Sequence, residues 1–183
     1  GDLLSTSNIN KALTQAFAGN HGRRLYGQGD LAPIFDKAQA VKAEYHVASA
    51  LHLAIEPPCA TARVTDGRAE VWVATQAPTF CRKSVADALG LSETAVTLYP
   101  VSAGGSFGRR MEHDVAVQAA LIAQEVGRPV QLTWSRLEET VQDRPRAPAI
   151  GRMAAKLGRG GVIEGWSAKV AAPAALSETW DRI

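Results

Sequence analysis

A chain of 183 residues can bury a core of its own without metal or disulfide staples, and 46% hydrophobic with 21% charged residues excludes disorder, collagen and coiled coil. The 20 basic and 18 acidic side chains leave a net charge of +2, too weak a field to gather nucleic acid or an anionic membrane by bulk attraction. No apolar run approaches the roughly 20 residues that span a bilayer, and Cys59 and Cys81 suit neither a disulfide framework nor a zinc site, so both are expected as reduced, small core residues.

The first forty residues read as helical. Ser7 is the expected N-cap of a helix over 8–18, with Ile9, Leu13, Ala16 and Phe17 at helical spacing and Gly19-Asn20 as its stop. A turn over His21 to Gly29 precedes a second short helix, capped by Asp30, carrying Pro33 in its first turn and running to Ala40. From Val41 the pattern turns to strands over 42–50, 59–65 and 69–74, the last two joined by the hairpin signal Asp66-Gly67. A helix over 79–89 closed by Gly90, a β-rich run over 95–101, a helix over 112–126 capped by Gly127 and a strand over 130–135 follow. A basic turn over 143–148 leads to a hairpin of 152–157 and 162–170 across Gly158 to Gly161, and then a small, polar tail from Ala171. Helices and strands alternate without the rhythm of a parallel sheet, so the expected class is α+β.

The sharpest local feature is Ala103-Gly104-Gly105-Ser106-Phe107-Gly108-Arg109-Arg110, set between a strand and a helix. Three glycines let the backbone approach a ligand with positive φ, and two arginines offer charge-assisted contacts to phosphate or carboxylate. A glycine-rich turn with solvated arginines reads equally well. The spacing matches neither the phosphate loop nor the dinucleotide fingerprint. Gln76 ends a strand where an amide can donate to a buried oxygen, although an exposed loop glutamine is the commoner case. Glu56, before Pro57, is expected to cap backbone donors rather than act as a base. His46, His52 and His113 share no metal-binding spacing, and Arg144 and Arg146 read either as phosphate ligands or as a solvated turn.

In order along residues 45–170, the chain resembles the molybdenum-cofactor-binding subunit of the xanthine dehydrogenase and aldehyde oxidase family. The resemblance rests on Tyr45 with His52-Leu53-Ala54-Ile55-Glu56-Pro57, on Val71-Trp72-Val73-Ala74-Thr75-Gln76, and on Gly104-Gly105-Ser106-Phe107-Gly108, where the family has Gly-Gly-Gly-Phe-Gly. Gly127-Arg128-Pro129-Val130 and Arg146-Ala147-Pro148 complete it. Phe107-Gly108-Arg109-Arg110 is most similar to the isoquinoline 1-oxidoreductase branch. The glutamate that contacts substrate in xanthine dehydrogenases falls on Met111, with Glu112 one place out of register, so an N-heteroaromatic or aldehyde substrate is expected over a purine.

The resemblance implies that Gln76 hydrogen-bonds an oxygen on molybdenum and that Gly104, Gly105, Ser106, Phe107, Gly108, Arg109 and Arg110 bind the molybdenum-molybdopterin cofactor, in its cytosine dinucleotide form. It implies hydroxylation of an electrophilic carbon of a small molecule with oxygen from water, and a partner subunit carrying iron–sulfur clusters. The family's general base lies far along a much longer chain, and Gly1 stands where an initiator Met would be. The expectation is therefore a segment without catalytic or metal-ligating residues of its own, inactive alone. Residues 1–40 would end a preceding domain or link to it, and 41–183 would open the cofactor-binding domain. Two rival readings are a non-catalytic interaction module of the same ancestry and an unrelated domain whose 104–110 loop holds a phosphate.

Overall fold

The structure, a computed structural model, describes residues 5–19, 22–36 and 40–174. Its elements in chain order are α1 (Thr6–Ala18), α2 (Ala32–Asp36), β1 (Val41–Val47), β2 (Cys59–Thr65), β3 (Arg68–Val73), α3 (Pro78–Leu89), β4 (Val96–Pro100), α4 (Asp114–Val126), β5 (Val130–Thr133), α5 (Arg136–Val141), β6 (Ala149–Leu157) and β7 (Ile163–Ala171). Helices with mixed and antiparallel sheets make the class α+β, as expected. Asn20, His21, residues 37–39 of the second expected helix and the tail from Ala175 lie outside the described residues. Among those described, no helix is long and apolar enough to cross a membrane.

The described residues divide into two compact units, one made of those up to 50 together with 147–174, the other of 51–146. In the first, β1, β6 and β7 form an antiparallel sheet in that order. Leu13 and Phe17, one helical turn apart on α1, bury themselves against Ile150 and Ala171. The Phe17 ring lies under the Arg152 guanidinium at 4.4 Å, and Lys169 donates to the Phe17 carbonyl at 2.9 Å, so two cations of the sheet grip one aromatic of the helix. α2 packs on β7 where Gly165 leaves room: a Cβ there would stand 2.9 Å from Ile34.

The second unit holds a four-stranded sheet in the order β4-β3-β2-β5. β2 and β3 form the expected hairpin, with Asp66 and Gly67 at φ 50° and 70°. β4 lies parallel to β3 and is reached through α3. The strands obey the period of two: Ala60, Ala62, Ala69, Val71 and Val73 point to one face, where α3 and α4 cover them. α4 presents Ala116, Ala119, Ala120 and Ala123, all fully buried, so its backbone lies close on β2. A larger side chain at any of the four would overpack by about 1–3 kcal/mol. On the opposite face Trp72 stacks on Tyr99 at 4.9 Å, and Arg63 pairs across the hairpin with Glu70.

Several expected boundaries move, each for a local reason. The cap of α1 is Ser5, whose hydroxyl accepts the Asn8 N–H, rather than Ser7. β1 stops at Val47 because the next residue of its partner is Pro148, which has no N–H to continue the ladder. β6 starts at Ala149, three residues ahead of the expected strand. β5 ends at Thr133: the Trp134 N–H still donates to the Pro58 carbonyl at 3.0 Å, but Pro58 has no N–H to return the bond. Ser135, expected as the last residue of that strand, instead caps α5, its hydroxyl accepting the Glu138 N–H. α4 begins at Asp114, after a single 3-10 turn over Arg109–Met111.

Both cysteines are free. Cys81 is the buried core residue expected, and burial pushes its thiol up to about 12. Cys59 departs from expectation: it is half-buried at the start of β2, its sulfur accepting the Thr133 hydroxyl at 3.3 Å.

Candidate functional site

Within the second unit, three stretches meet at the ends of β3 and β4: residues 52–58, residues 74–76, and the glycine-rich loop leading to α4. Beyond Val73 the chain stays beside the loop because the Gln76 N–H donates to the Arg110 carbonyl at 3.0 Å. Thr75 supports this turn, its hydroxyl donating to the same carbonyl and accepting the Ala77 N–H at 3.0 Å.

The loop is held by Glu56 and shaped by positive φ angles. The Glu56 N–H donates to the Gly104 carbonyl at 3.3 Å, and its carboxylate accepts the Gly104 N–H at 2.6 Å. A Cβ at Gly104 would stand 2.5 Å from that of Glu56, so the close approach needs glycine there. Gly105, Phe107 and Gly108 take φ of 105°, 58° and 111°. Phe107 is 65% exposed despite its size, with a backbone that costs on the order of 1–3 kcal/mol for a side-chain-bearing residue. Glu56 thus fills the structural role expected of it.

Arg109 and Arg110 turn inward, 5% and 6% exposed. Arg110 folds back under the loop, donating through Nε to the Gly105 carbonyl at 2.9 Å and through Nη2 to the Glu56 carboxylate at 2.8 Å. Arg109 reaches Asp114 at 3.3 Å and Asp143 at 3.5 Å, and lies 5.5 Å over the Trp134 ring. Their charges are spent inside the protein, and the outer side of the loop carries backbone and neutral side chains. Arg144 is exposed and paired with Glu112.

Asp143 is the second anchor. Its carboxylate accepts both the His52 N–H and His52 Nδ1 at 2.8 Å, and the Arg144 N–H at 2.9 Å. Burial raises its pKa, but the hydrogen bonds and charge of His52 outweigh that and hold the carboxyl below its ordinary value of 3.8. α5 adds a third anchor, since Arg136, paired with buried Glu139, donates to the Ile55 carbonyl at 2.9 Å. These partners stand far from the loop in sequence, and only the cap signal Ser135-x-x-Glu138 marks α5 in advance.

At the front of the site, the Ser106 hydroxyl donates to Gln76 Oε1 and accepts the Arg110 N–H at 3.2 Å. The exposed Gln76 amide therefore presents its NH2 end outward. Among the described residues, the backbone N–H groups of Gly105, Ser106, Phe107 and Gly108 have no acceptor. Four successive donors, three of them on residues at positive φ, joined by a primary amide, suit the oxygen atoms of a polar ligand. No three His, Cys, Asp or Glu among the described residues form a metal-ligating group, so a metal at this place would bring its ligands with it. That donor set, with the Arg109 and Arg110 guanidinium groups already paired to carboxylates, fits a cofactor-borne metal centre better than a bare phosphate.

The sequence model of the molybdopterin cofactor-binding domain matches residues 15–182. A nicotinate dehydrogenase chain of Pseudomonas putida is 33% identical over 120 residues, which is 65% of this chain and 10% of that protein. The beta chain of isoquinoline 1-oxidoreductase from Brevundimonas diminuta is 39% identical over 85 residues, 46% of this chain and 11% of that protein. The chain thus matches about a tenth of the length of these curated relatives. Among solved structures, quinoline 2-oxidoreductase from Pseudomonas putida 86 superposes with a TM-score of 0.62 at 23% identity, covering 77% of this chain and 18% of that one.

Proposed function

Because the chain belongs to the molybdopterin cofactor-binding domains of the xanthine dehydrogenase and aldehyde oxidase family, we propose that it supplies one wall of the molybdenum site in a larger hydroxylating oxidoreductase. The observation that carries this reading is the Gln76 amide fixed beside the unpaired N–H groups of residues 105–108. When bound, the cofactor supplies the redox chemistry. The protein's share is placement: the loop N–H groups and Gln76 Nε2 donate to oxygens of the cofactor without reorganising as charge develops.

In this reading Arg109 and Arg110 brace the loop rather than contact the cofactor, because Glu56, Asp114 and Asp143 already neutralise them. The exposed Phe107 ring offers an apolar surface beside the donors, suited to a flat substrate or the cofactor's ring system. An N-heteroaromatic substrate is favoured by the names of the two curated relatives, nicotinate dehydrogenase and isoquinoline 1-oxidoreductase. The cytosine dinucleotide form of the cofactor and an electron-accepting iron–sulfur subunit complete the proposal.

The test is turnover per bound molybdenum in the full-length protein carrying Gln76→Ala. Loss of one preorganised donor is expected to lower kcat by about a hundredfold while molybdenum content stays near wild type. Equal turnover per molybdenum would remove Gln76 from the site. A full-length protein purified without molybdenum would leave the interaction-module reading instead.

A further inference from the structure

We propose that Ser106 is a positioning residue that decides which end of the Gln76 amide faces the cofactor, an inference that rests on the role proposed for Gln76. A primary amide has two ends of similar shape and opposite hydrogen-bonding character: Oε1 accepts and Nε2 donates. On an exposed residue such as Gln76 the two exchange by rotation about the last side-chain torsion, which is broad and roughly two-fold. A site that offers a donor to an oxygen atom is preorganised when that exchange is stopped before the ligand arrives. Turned the other way, the amide would set a carbonyl against the same oxygen.

Ser106 stops it. Its hydroxyl accepts the Arg110 N–H at 3.2 Å and donates its one proton to Gln76 Oε1. The Arg110 carbonyl in turn accepts the Gln76 N–H at 3.0 Å, closing a ring through Ser106, Arg110 and Gln76 that fixes both ends of the glutamine. Arg110 is itself immobilised by Glu56 and the Gly105 carbonyl, so the ring stands on a buried base. Serine is not here for backbone reasons: residue 106 is not among those at positive φ, whereas its neighbours 105, 107 and 108 all are. Neither glycine nor alanine at 106 supplies a hydroxyl, so a loop with either leaves the amide to be oriented by the ligand alone.

The experiment compares wild type, Ser106→Ala, Gln76→Ala and the double variant in the full-length, cofactor-loaded protein. The readouts are molybdenum content, the molybdenum(V) electron paramagnetic resonance signal and kcat; should Ser106→Ala fail to load, Ser106→Gly takes its place. The expected result is unchanged molybdenum content in Ser106→Ala, a signal displaced in the same sense as in Gln76→Ala, and kcat lowered about five- to tenfold. In the double variant the Ser106 effect vanishes, because no amide remains to orient. If Gln76→Ala alters signal and kcat while Ser106→Ala alters neither, or if the Ser106 effect persists in full in the double variant, the positioning role is refuted and the role of Gln76 stands. If Gln76→Ala leaves both unchanged, the reading of Gln76 falls and this inference with it.

Discussion

The Glu56 carboxylate and the Arg110 guanidinium meet 2.8 Å apart at the base of the glycine-rich loop, and the same carboxylate oxygen takes the Gly104 N–H. Removing it strips a buried arginine of its counter-charge and frees the start of the loop. Glu56 is partly exposed, so screening reduces the cost: Glu56→Ala is expected to destabilise by about 1–3 kcal/mol in urea denaturation, and Glu56→Gln, which keeps an acceptor, by less. An Ala variant as stable as wild type would show that the clamp contributes nothing.

Two buried groups fix the response to acid. Burial keeps the His113 ring neutral and its pKa below the ordinary 6.5, despite the raising influence of Glu112 and Asp114. The unfolded chain therefore binds a proton that the folded chain refuses, and stability present above pH 6.5 falls as pH drops through the lower, folded value. The slope is at most about 1.4 kcal/mol per pH unit for one proton. Asp143 acts further down: its depressed carboxyl contributes stability that is complete above its ordinary 3.8 and lost as pH falls through the folded value. Denaturation between pH 4.5 and 7.5 is expected to show a decline on acidification that His113→Gln flattens. A decline of the same slope in that variant would assign it elsewhere.

Gly108 and Gly127 both sit at positive φ, but for different ends. Gly127, at 65° with nothing within 4 Å of an added Cβ, is a helix C-cap in the left-handed region, and alanine there is expected to cost about 1 kcal/mol. Gly108, at 111°, lies outside the region that side-chain-bearing residues visit, so Gly108→Ala is expected to cost on the order of 2–3 kcal/mol and to lower molybdenum content as well. Nearby His52 Nε2, 3.5 Å from that Cβ, is in ordinary contact, so the strain is in the backbone. Equal costs for the two variants would place the loop's shape outside glycine's control.

What the sequence discloses follows the range of each interaction. The Asp66-Gly67 turn, the Gly90 and Gly127 caps, strand Cys59–Thr65 and the loop at 104–108 are set by neighbours in the chain, and all are legible from the residues alone. The inward turn of Arg109 and Arg110 is not, because their partners Glu56 and Asp143 lie tens of positions away and a basic pair after glycines reads the same whether solvated or buried. α5 escapes for a different reason. Val130–Thr133 carries a strand pattern into Trp134, and six residues with one cap give too little periodicity to compete with it. Ser106 is legible as a loop residue. Its bond to Gln76, thirty positions away, emerges only in the fold.

The central claim is that Gln76 and the 105–108 backbone face the molybdenum cofactor, and an experimental structure of the full-length, cofactor-loaded protein tests it most directly. The expected map places an oxygen of the cofactor within hydrogen-bonding distance of Gln76 Nε2 and of at least one N–H among residues 105–108, with Arg109 and Arg110 still paired to Asp143 and Glu56. A cofactor seated away from this loop, or one held by the Arg109 and Arg110 guanidinium groups, would contradict it.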